Sequence, residues 1–396
     1  MSALRRPDFL VRHVLRSRKG FTLVELVVVM GIFMFIIIIS SEAFNKLLTL
    51  SNQQTKSAES DTQGILGLEM LRVDLQHAGY GLPWELTFED DLEEVTSGDL
   101  GSGVDPKDYN DNDNASTDTH KVPRPVQAGT SPSGRDYLVL KSTLINTSDT
   151  SKKWAYVQGV GGTSTLKAWG DNNFANDEQV VTLNSKNKQL ITKPVVAPAV
   201  MTPADFSYGI TSPTMTPPAG FQPGAESTVY LVYGVSNASS LRAPYNRVDY
   251  YVRRPGSAAE MPARCAPGTG ILYKAVMNHP GGDQTELPLM ECVADMQVVF
   301  QLDTNGDGGA DSFATHTGLS SLSSSEIRQQ LKTVNVYVVS HEGGKDPNYT
   351  YDKGKDLVVG EGYGRTLDLQ ALVGADYKNY RWKTYKISVN PKNINY

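Results

Sequence analysis

Arg18-Lys19-Gly20-Phe21-Thr22-Leu23-Val24-Glu25-Leu26 joins a basic leader to a long apolar run. From residue 21 to residue 39 the sole ionisable side chain is Glu25. Nineteen residues of helix reach about 28 Å, enough to cross a hydrocarbon core. A lone carboxylate in such a span costs about 2.5–3.5 kcal/mol on insertion scales, so it is expected to have a task. Ahead of it, Arg5, Arg6, Arg12, Arg16, Arg18 and Lys19 stand against Asp8, a leader of +5. The positive-inside rule keeps that leader cytoplasmic and sends the body across the membrane. A secretory signal would show small residues and a cleavage site after the run. Residues 36–48 offer no clear one. An ordinary signal anchor remains the alternative, tolerating Glu25 without needing it.

A cut between Gly20 and Phe21 would create an α-amine four residues before Glu25, one turn away on the same helix face. The acid would then gain a cation and sit in the first turn, where the helix dipole favours negative charge. Gly20-Phe21-Thr22-Leu23-Val24-Glu25 resembles the prepilin peptidase site of type IV pilins and type II secretion pseudopilins. The resemblance implies cleavage after Gly20, N-methylation of Phe21, and pairing of Glu25 with a neighbouring subunit's terminal amine during assembly. It also implies prepilin peptidase, an inner-membrane assembly platform and other minor and major pilins as partners, with a tip adhesin as a further candidate. Position 42 is glutamate where many major pilins carry a kinking proline, so a straighter helix is expected.

At 396 residues the chain can hold one large or two modest domains beyond that helix. The net charge of −6 becomes −11 without the leader, which argues against a DNA-binding shaft and for no nucleic-acid partner. Cys265 and Cys292 both fall on the exported side, where a disulfide between them is expected. Closing that loop stabilises by about 3–4 kcal/mol in the chain-entropy picture.

Ile65, Leu68, Leu71 and Leu75 recur at helical spacing, and Gly79 offers a stop. One helix is therefore predicted over 21–77, about 85 Å by rise per residue, its distal half packed on a sheet. Residues 85–118 hold twelve acids against one base, Lys107, with few apolar residues, and read as a solvated excursion. The predicted boundaries are a leader over 1–20, the pilin helix over 21–78 with its span at 21–39, an acidic loop-rich excursion over 79–135, and a β-rich body over 136–396. From Tyr137 onward short runs such as Tyr137-Leu138-Val139-Leu140, Ala155-Tyr156-Val157, Val180-Val181-Thr182-Leu183 and Val229-Tyr230-Leu231-Val232-Tyr233 are predicted strands, several alternating with period two. Val248-Asp249-Tyr250-Tyr251-Val252 and Val334-Asn335-Val336-Tyr337-Val338-Val339 continue the pattern. A short helix is predicted from Ser324 to Leu331, and residues 194–223 read as a long loop or a link between two sheets. The predicted class is α+β, a long N-terminal helix on a largely antiparallel body of two sheets. Leu75-Gln76-His77-Ala78-Gly79-Tyr80-Gly81, Pro267-Gly268-Thr269-Gly270-Ile271-Leu272-Tyr273, Cys292-Val293-Ala294-Asp295-Met296-Gln297-Val298-Val299-Phe300 and the final strand look like PilW-type minor pilins.

One stretch carries ligand chemistry. Asp303-Thr304-Asn305-Gly306-Asp307-Gly308-Gly309-Ala310-Asp311 places side-chain oxygens from Asp303, Asn305, Asp307 and Asp311 at positions 1, 3, 5 and 9, with the Gly309 carbonyl at 7. Calcium takes six to eight such oxygens. Ala314 stands where an EF-hand has its bidentate Glu, and the alternative is an Asx/Gly turn. The six histidines are scattered, none in a nucleophile context, so no enzyme is expected. The expected function is that of a low-copy minor pilin near the filament tip, stored in the inner membrane with its C-terminus periplasmic and later displayed at the cell surface. A type II secretion pseudopilin is the first alternative; a calcium-stabilised surface-binding protein on a plain membrane anchor is the second.

Overall fold

The computed structural model describes residues 20, 22–88, 92–96, 98, 105–111, 122–159, 164–194, 201–225, 227–257 and 260–394. Residues 1–19 of the leader, Phe21, and Glu89, Asp90, Asp91, Asp99, Asp113 and Asp118 of the acidic stretch lie outside these. The chain divides into two compact units, Met1–Thr55 and Lys56–Tyr396.

Helix α1 (Leu23–His77) runs without interruption through Gly31 and Glu42. Its segment Leu23–Leu48 is long and apolar enough to cross a membrane, and its large apolar side chains are all exposed. Soluble monomers rarely expose an apolar surface of that extent.

Among the described residues of the second unit, fourteen strands, from three to nineteen residues long, are built on antiparallel pairing. The large sheet has the order β1 (Val126–Thr130), β2 (Asp136–Ser142), β7 (Asn246–Arg253), β8 (Gly270–Met277), β9 (Gln284–Leu302), β11 (Leu331–Glu342), β14 (Arg381–Val389), with β10 (Ser312–Ala314) hooked onto β9. A second sheet has the order β3 (Trp154–Gln158), β6 (Val229–Ser236), β4 (Gln179–Asn184), β5 (Ser207–Gly209). A two-stranded ribbon, β12 (Asp356–Val358) with β13 (Thr366–Asp368), completes the set. The α+β class and the division into more than one sheet are as the sequence indicates. Every quoted run is a strand, and the short helix stands at Ser324–Gln330 with Ser323 and Glu326 forming a capping box.

The second sheet is an insertion. β2 and β7 are direct neighbours, Leu138 opposite Tyr250, although residues 143–245 separate them in the chain. Residues 194–223 therefore do not link two sheets. Their described part forms the helix Pro203–Phe206 and strand β5; it buries Tyr208, Ile210 and Phe221 inside the insertion and Phe206 against Leu82 and Leu86. Strands β2 and β8 are buried along their whole length. Both faces are covered there, so alternation in these strands selects between two cores, whereas β14 at the edge alternates between core and water. On one face Leu138, Leu140, Val248, Leu272, Val298 and Val336 share a core with α1; on the other, Tyr137, Val139, Tyr251 and Tyr273 pack with Met261.

Helix α1 meets this sheet through Leu68, Leu71, Leu75 and Ala78. Ile65, expected on that stripe, is 55 % exposed. Glycines replace it on the buried side: a Cβ on Gly67 would lie 2.6 Å from the Leu289 carbonyl oxygen, and one on Gly64 would meet the Met290 methyl at 2.8 Å. The weak helix formers are thus the price of backbone-close packing on β9. A polar clamp fixes the register. Asp74, buried on α1, accepts from the Tyr250 hydroxyl and from Lys274 Nζ at 2.5 Å.

The acidic stretch is not a wholly solvated excursion. Lys141 and Arg247 are cross-strand neighbours on β2 and β7, both with no exposed surface. Two like charges so placed repel and are costly to bury. The residues before β1 supply the counter-charges. Glu94 accepts from Lys141 Nζ at 2.7 Å and pairs with Arg247 at 2.9 Å, and Asp111 reaches Lys141 at 2.5 Å. The Arg247 guanidinium spends all five donors, on Asp249, Glu94, the Asn110 amide oxygen and the Pro106 carbonyl. Tyr245 donates to Glu94 at 2.8 Å and Tyr137 to Asp249 at 2.5 Å. Alongside, Leu86, Leu92 and Val95 enter a core with Tyr245 and Tyr233. Net charge read along the chain hid this pairing in space.

Two outcomes follow. Replacing Gly67 by leucine is expected to push α1 off β9 and cost about 1–3 kcal/mol or more, measured by denaturant unfolding; Ile65→Ser, on the open side, changes stability by less than about 0.5 kcal/mol. For the charge cluster, burial raises the Glu94 pKa but Lys141 and Arg247 outweigh it and hold it at about 2. Asp111 moves the other way, raised by burial and by the neighbouring Glu94 charge. A lowered carboxylate contributes stability that is complete above its unfolded value of 4.5 and is lost as pH falls toward 2. Glu94→Gln should therefore cost about 3–5 kcal/mol at pH 7 by stranding two buried cations. The gap between variant and parent should narrow below pH 4.5, as read from unfolding midpoints at each pH; a constant gap would contradict this assignment.

Candidate functional site

The junction that opens the chain's helix is built by a local hydrogen-bond exchange. Thr22 caps α1 and Glu25 is its third helical residue. The Thr22 hydroxyl accepts from the Glu25 N–H at 3.2 Å; in return Glu25 Oε2 accepts from the Thr22 N–H and hydroxyl, each at 3.3 Å. This reciprocal box satisfies two amides that a helix start leaves unpaired. Its Thr-x-x-Glu signature is visible in the sequence, where Glu25 had been weighed only as a charge. The box also aims the carboxylate backward, onto the peptide N–H that follows Phe21. Gly20 is exposed with open space around its Cα. Phe21 itself, the expected methylation site, lies outside the described residues.

At the other end of the chain, Cys265 and Cys292 form a disulfide across 27 residues of sequence. Cys292 sits in the middle of β9 with φ +58°, where the pairing with β8 shifts register. The bond ties the loop before β8 to that irregular point. Next to it the buried His341 imidazole accepts from the Ala266 N–H at 2.9 Å through Nε2, which places its proton on Nδ1. Burial holds His341 at about 4, with Arg264 adding to the effect, so it stays neutral and acts as a structural acceptor.

The stretch 303–311 forms an exposed turn between β9 and β10. Asp303 accepts from the Gly306 N–H at 2.7 Å and the Gly308 N–H at 2.8 Å, and pairs with Lys332 at 3.2 Å. Asp311 accepts from the Thr304 N–H and hydroxyl and from the Asn305 N–H. Asp307 accepts from the Gly309 N–H at 2.8 Å and from the Asn305 amide at 3.2 Å. Gly306 and Gly308 take φ of +77° and +93°, which lets the chain wrap around Asp303. The Asp303 carboxylate is raised by desolvation, but Lys332 and the two glycine amides overcome this and hold it below its ordinary value. The turn thus already gathers donors and a cation around one carboxylate. Among the described residues, no group of three or more His, Cys, Asp or Glu side chains converges as a metal-ligand set.

Of the histidines, His13 and His120 lie outside the described residues. His316 stands 3.1 Å from the Thr130 hydroxyl and 3.9 Å from Asp136. That carboxylate is committed to Arg365, to the Val298 N–H at 2.8 Å and to Thr130.

Two family models match. Residues 15–41 match the prokaryotic N-terminal methylation motif, and residues 249–389 match the type IV pilus-assembly protein W, PilW. No curated protein and no solved structure matches the chain. The first match spans the Gly20–Phe21 junction, the capping box and most of the apolar helix. The second begins in β7, ends with the last residue of β14, and includes the disulfide and the turn at 303–311. It omits the inserted sheet and the acidic stretch. Both families are structural and non-enzymatic, and the motif with its exposed apolar helix fits a membrane-anchored pilin. Over residues 15–41 and 249–389 the chain is thus similar to type IV pilus-related, minor pilin-like proteins of the PilW kind.

Proposed function

We propose that this chain is a low-copy minor pilin that is cut between Gly20 and Phe21, methylated on Phe21, and drawn from the membrane into a filament through α1, at or near the tip. The observation that carries the reading is Glu25, held by Thr22 in the first helical turn next to the junction that the methylation motif covers. Cleavage supplies the cation such an acid lacks in hydrocarbon. The tip position is supported by bulk: residues 143–245 add a whole sheet to the body, awkward to repeat along a thin fibre. Prepilin peptidase, the assembly platform, and other pilins are the partners this reading requires. A secretion pseudopilus would use the same junction, and recovery of the chain in sheared surface filaments separates the two.

The decisive measurement is the mass of the mature N-terminus: it should begin at methylated Phe21, and an intact leader overturns the reading. Glu25→Ala and Glu25→Asp should both impair incorporation. Thr22→Val removes the cap, at a cost of about 0.5–2 kcal/mol to the helix start, but leaves the acid, so it should still be incorporated. Equal failure of Thr22→Val and Glu25→Ala would reduce Glu25 to a cap.

Calcium at Asp303, Asn305, Asp307, Gly309 and Asp311 belongs to the same proposal, with the ion taking the place of Lys332 beside Asp303. Millimolar calcium is then expected to raise the melting temperature of the parent chain, and more so of Lys332→Met, but not of Asp303→Ala. A flat response in the first two leaves the stretch a plain turn.

A further inference from the structure

Between the inserted sheet and the large sheet lies an open cleft of about 530 Å³, within the roughly 300–1,000 Å³ range of small-molecule sites. Its walls come from three places: the loop after β2, the end of β6, and the turn joining β8 to β9. None of its lining residues is an Asp, Glu, Lys or Arg. His279 is its one titratable side chain, and burial pushes that imidazole down to about 4.

The polar wall is fixed in advance. Asn246, fully buried behind it, accepts through Oδ1 from the Asn146 amide at 2.6 Å and from His279 Nε2 at 2.9 Å. Its own amide donates to the Thr143 and Val235 carbonyls, at 2.7 and 2.9 Å. His279 Nδ1 accepts from the Arg242 N–H at 3.2 Å, which settles the tautomer. On the far wall Asn278 donates to Asp283 at 2.8 Å and to the Thr285 hydroxyl at 3.0 Å. Between these walls Val276 and Leu287 give an apolar strip. Ser236 accepts from the Ala238 N–H and keeps its hydroxyl proton to offer, and the Asn237 amide is exposed at the rim.

We propose that this cleft binds a neutral saccharide. An anion or cation would be desolvated there without a countercharge. A purely apolar ligand would leave the Ser236 hydroxyl proton and the Asn237 amide, the two polar groups that the wall does not itself engage, without a partner. A sugar ring has what the lining asks for: hydroxyls that both donate and accept around its edge, and C–H faces for Val276 and Leu287. The cleft lies at the join between insertion and large sheet, so the inserted sheet supplies one wall of a site that the large sheet alone does not have. The inference stands apart from the assembly reading, because binding needs neither cleavage at Gly20 nor a filament.

The test is saturation-transfer NMR on the full chain in a zwitterionic detergent without a sugar headgroup. The probes are the methyl glycosides of glucose, galactose, mannose and N-acetylglucosamine, with N-acetylneuraminic acid as the charged comparison. At least one neutral glycoside should receive saturation. Ala238→Trp, which fills the cleft, should abolish it. Asn237→Ala, an exposed change that does not endanger folding, should weaken affinity by about two- to tenfold, the loss of one neutral hydrogen bond. Three results overturn the proposal: no transfer to any neutral glycoside, transfer to the charged sugar alone, or transfer undiminished in both variants.

Discussion

Lys141 and Arg247 face each other across β2 and β7 with no exposed surface, and the second unit is organised around neutralising them. A buried pair of cations cannot persist alone. Glu94 and Asp111 must therefore be brought in from the segment before β1, which forces that segment back over the sheet. The same segment buries Leu86, Leu92 and Val95 against Tyr233 on the inserted sheet and Tyr245 at its return. One electrostatic requirement thus determines where the acidic strap runs and, with it, what packs at the root of the insertion. Specificity is the gain: an apolar pair at positions 141 and 247 would remove the need for the strap altogether.

The family match to PilW begins at Asp249, two residues after Arg247. The matched strands β7 to β14 carry most of the large sheet, yet their outermost member pairs with β2, and its Arg247 is shared between Asp249 on the same strand and Glu94 from the segment before β1. The unmatched part is consequently not an appendage. It closes the sheet edge, gives Arg247 its second carboxylate and forms one wall of the cleft at His279. On the opposite flank α1 depends on the matched half in turn, since Gly64 and Gly67 approach Met290 and Leu289, and Asp74 is held by Tyr250 and Lys274. Each half leaves polar or apolar surface that the other covers.

Much of this was legible in the sequence, for identifiable reasons. Val334-Asn335-Val336-Tyr337-Val338-Val339 and its companions read as strands because period-two patterning is local. The junction at Gly20–Phe21 was legible because a single acid in an apolar run admits few explanations. What escaped depends on distance in space. Twelve acids in 85–118 look solvated until Lys141 and Arg247 are known to be opposite one another. Ile65 looks like part of a leucine stripe until the close approach of β9 shows that the buried positions are Gly64 and Gly67. The first half of β9, the edge strand β1 and the three-residue strands β5, β10, β12 and β13 have too little pattern of their own, and exist because a neighbour offers unpaired amides.

Glu25 shows how the local and the distant requirements can meet in one side chain. Both hydrogen bonds that the Glu25 side chain accepts in the capping box converge on a single carboxylate oxygen, Oε2. The box therefore consumes half of the acceptor capacity of the group and leaves Oε1 to an external donor. A helix start in hydrocarbon leaves unpaired N–H groups, and a carboxylate there needs a cation; either alone is costly. Placing the acid three residues after a threonine cap addresses the first at once. The second calls for a cation from outside the box, and in the proposed assembly an amine freed at Phe21 would supply it. An aspartate can close the same kind of box, as Asp205 does on Thr202 through Oδ2 alone. Glutamate is one methylene longer, so with one oxygen on the cap it carries the other farther out toward an external cation.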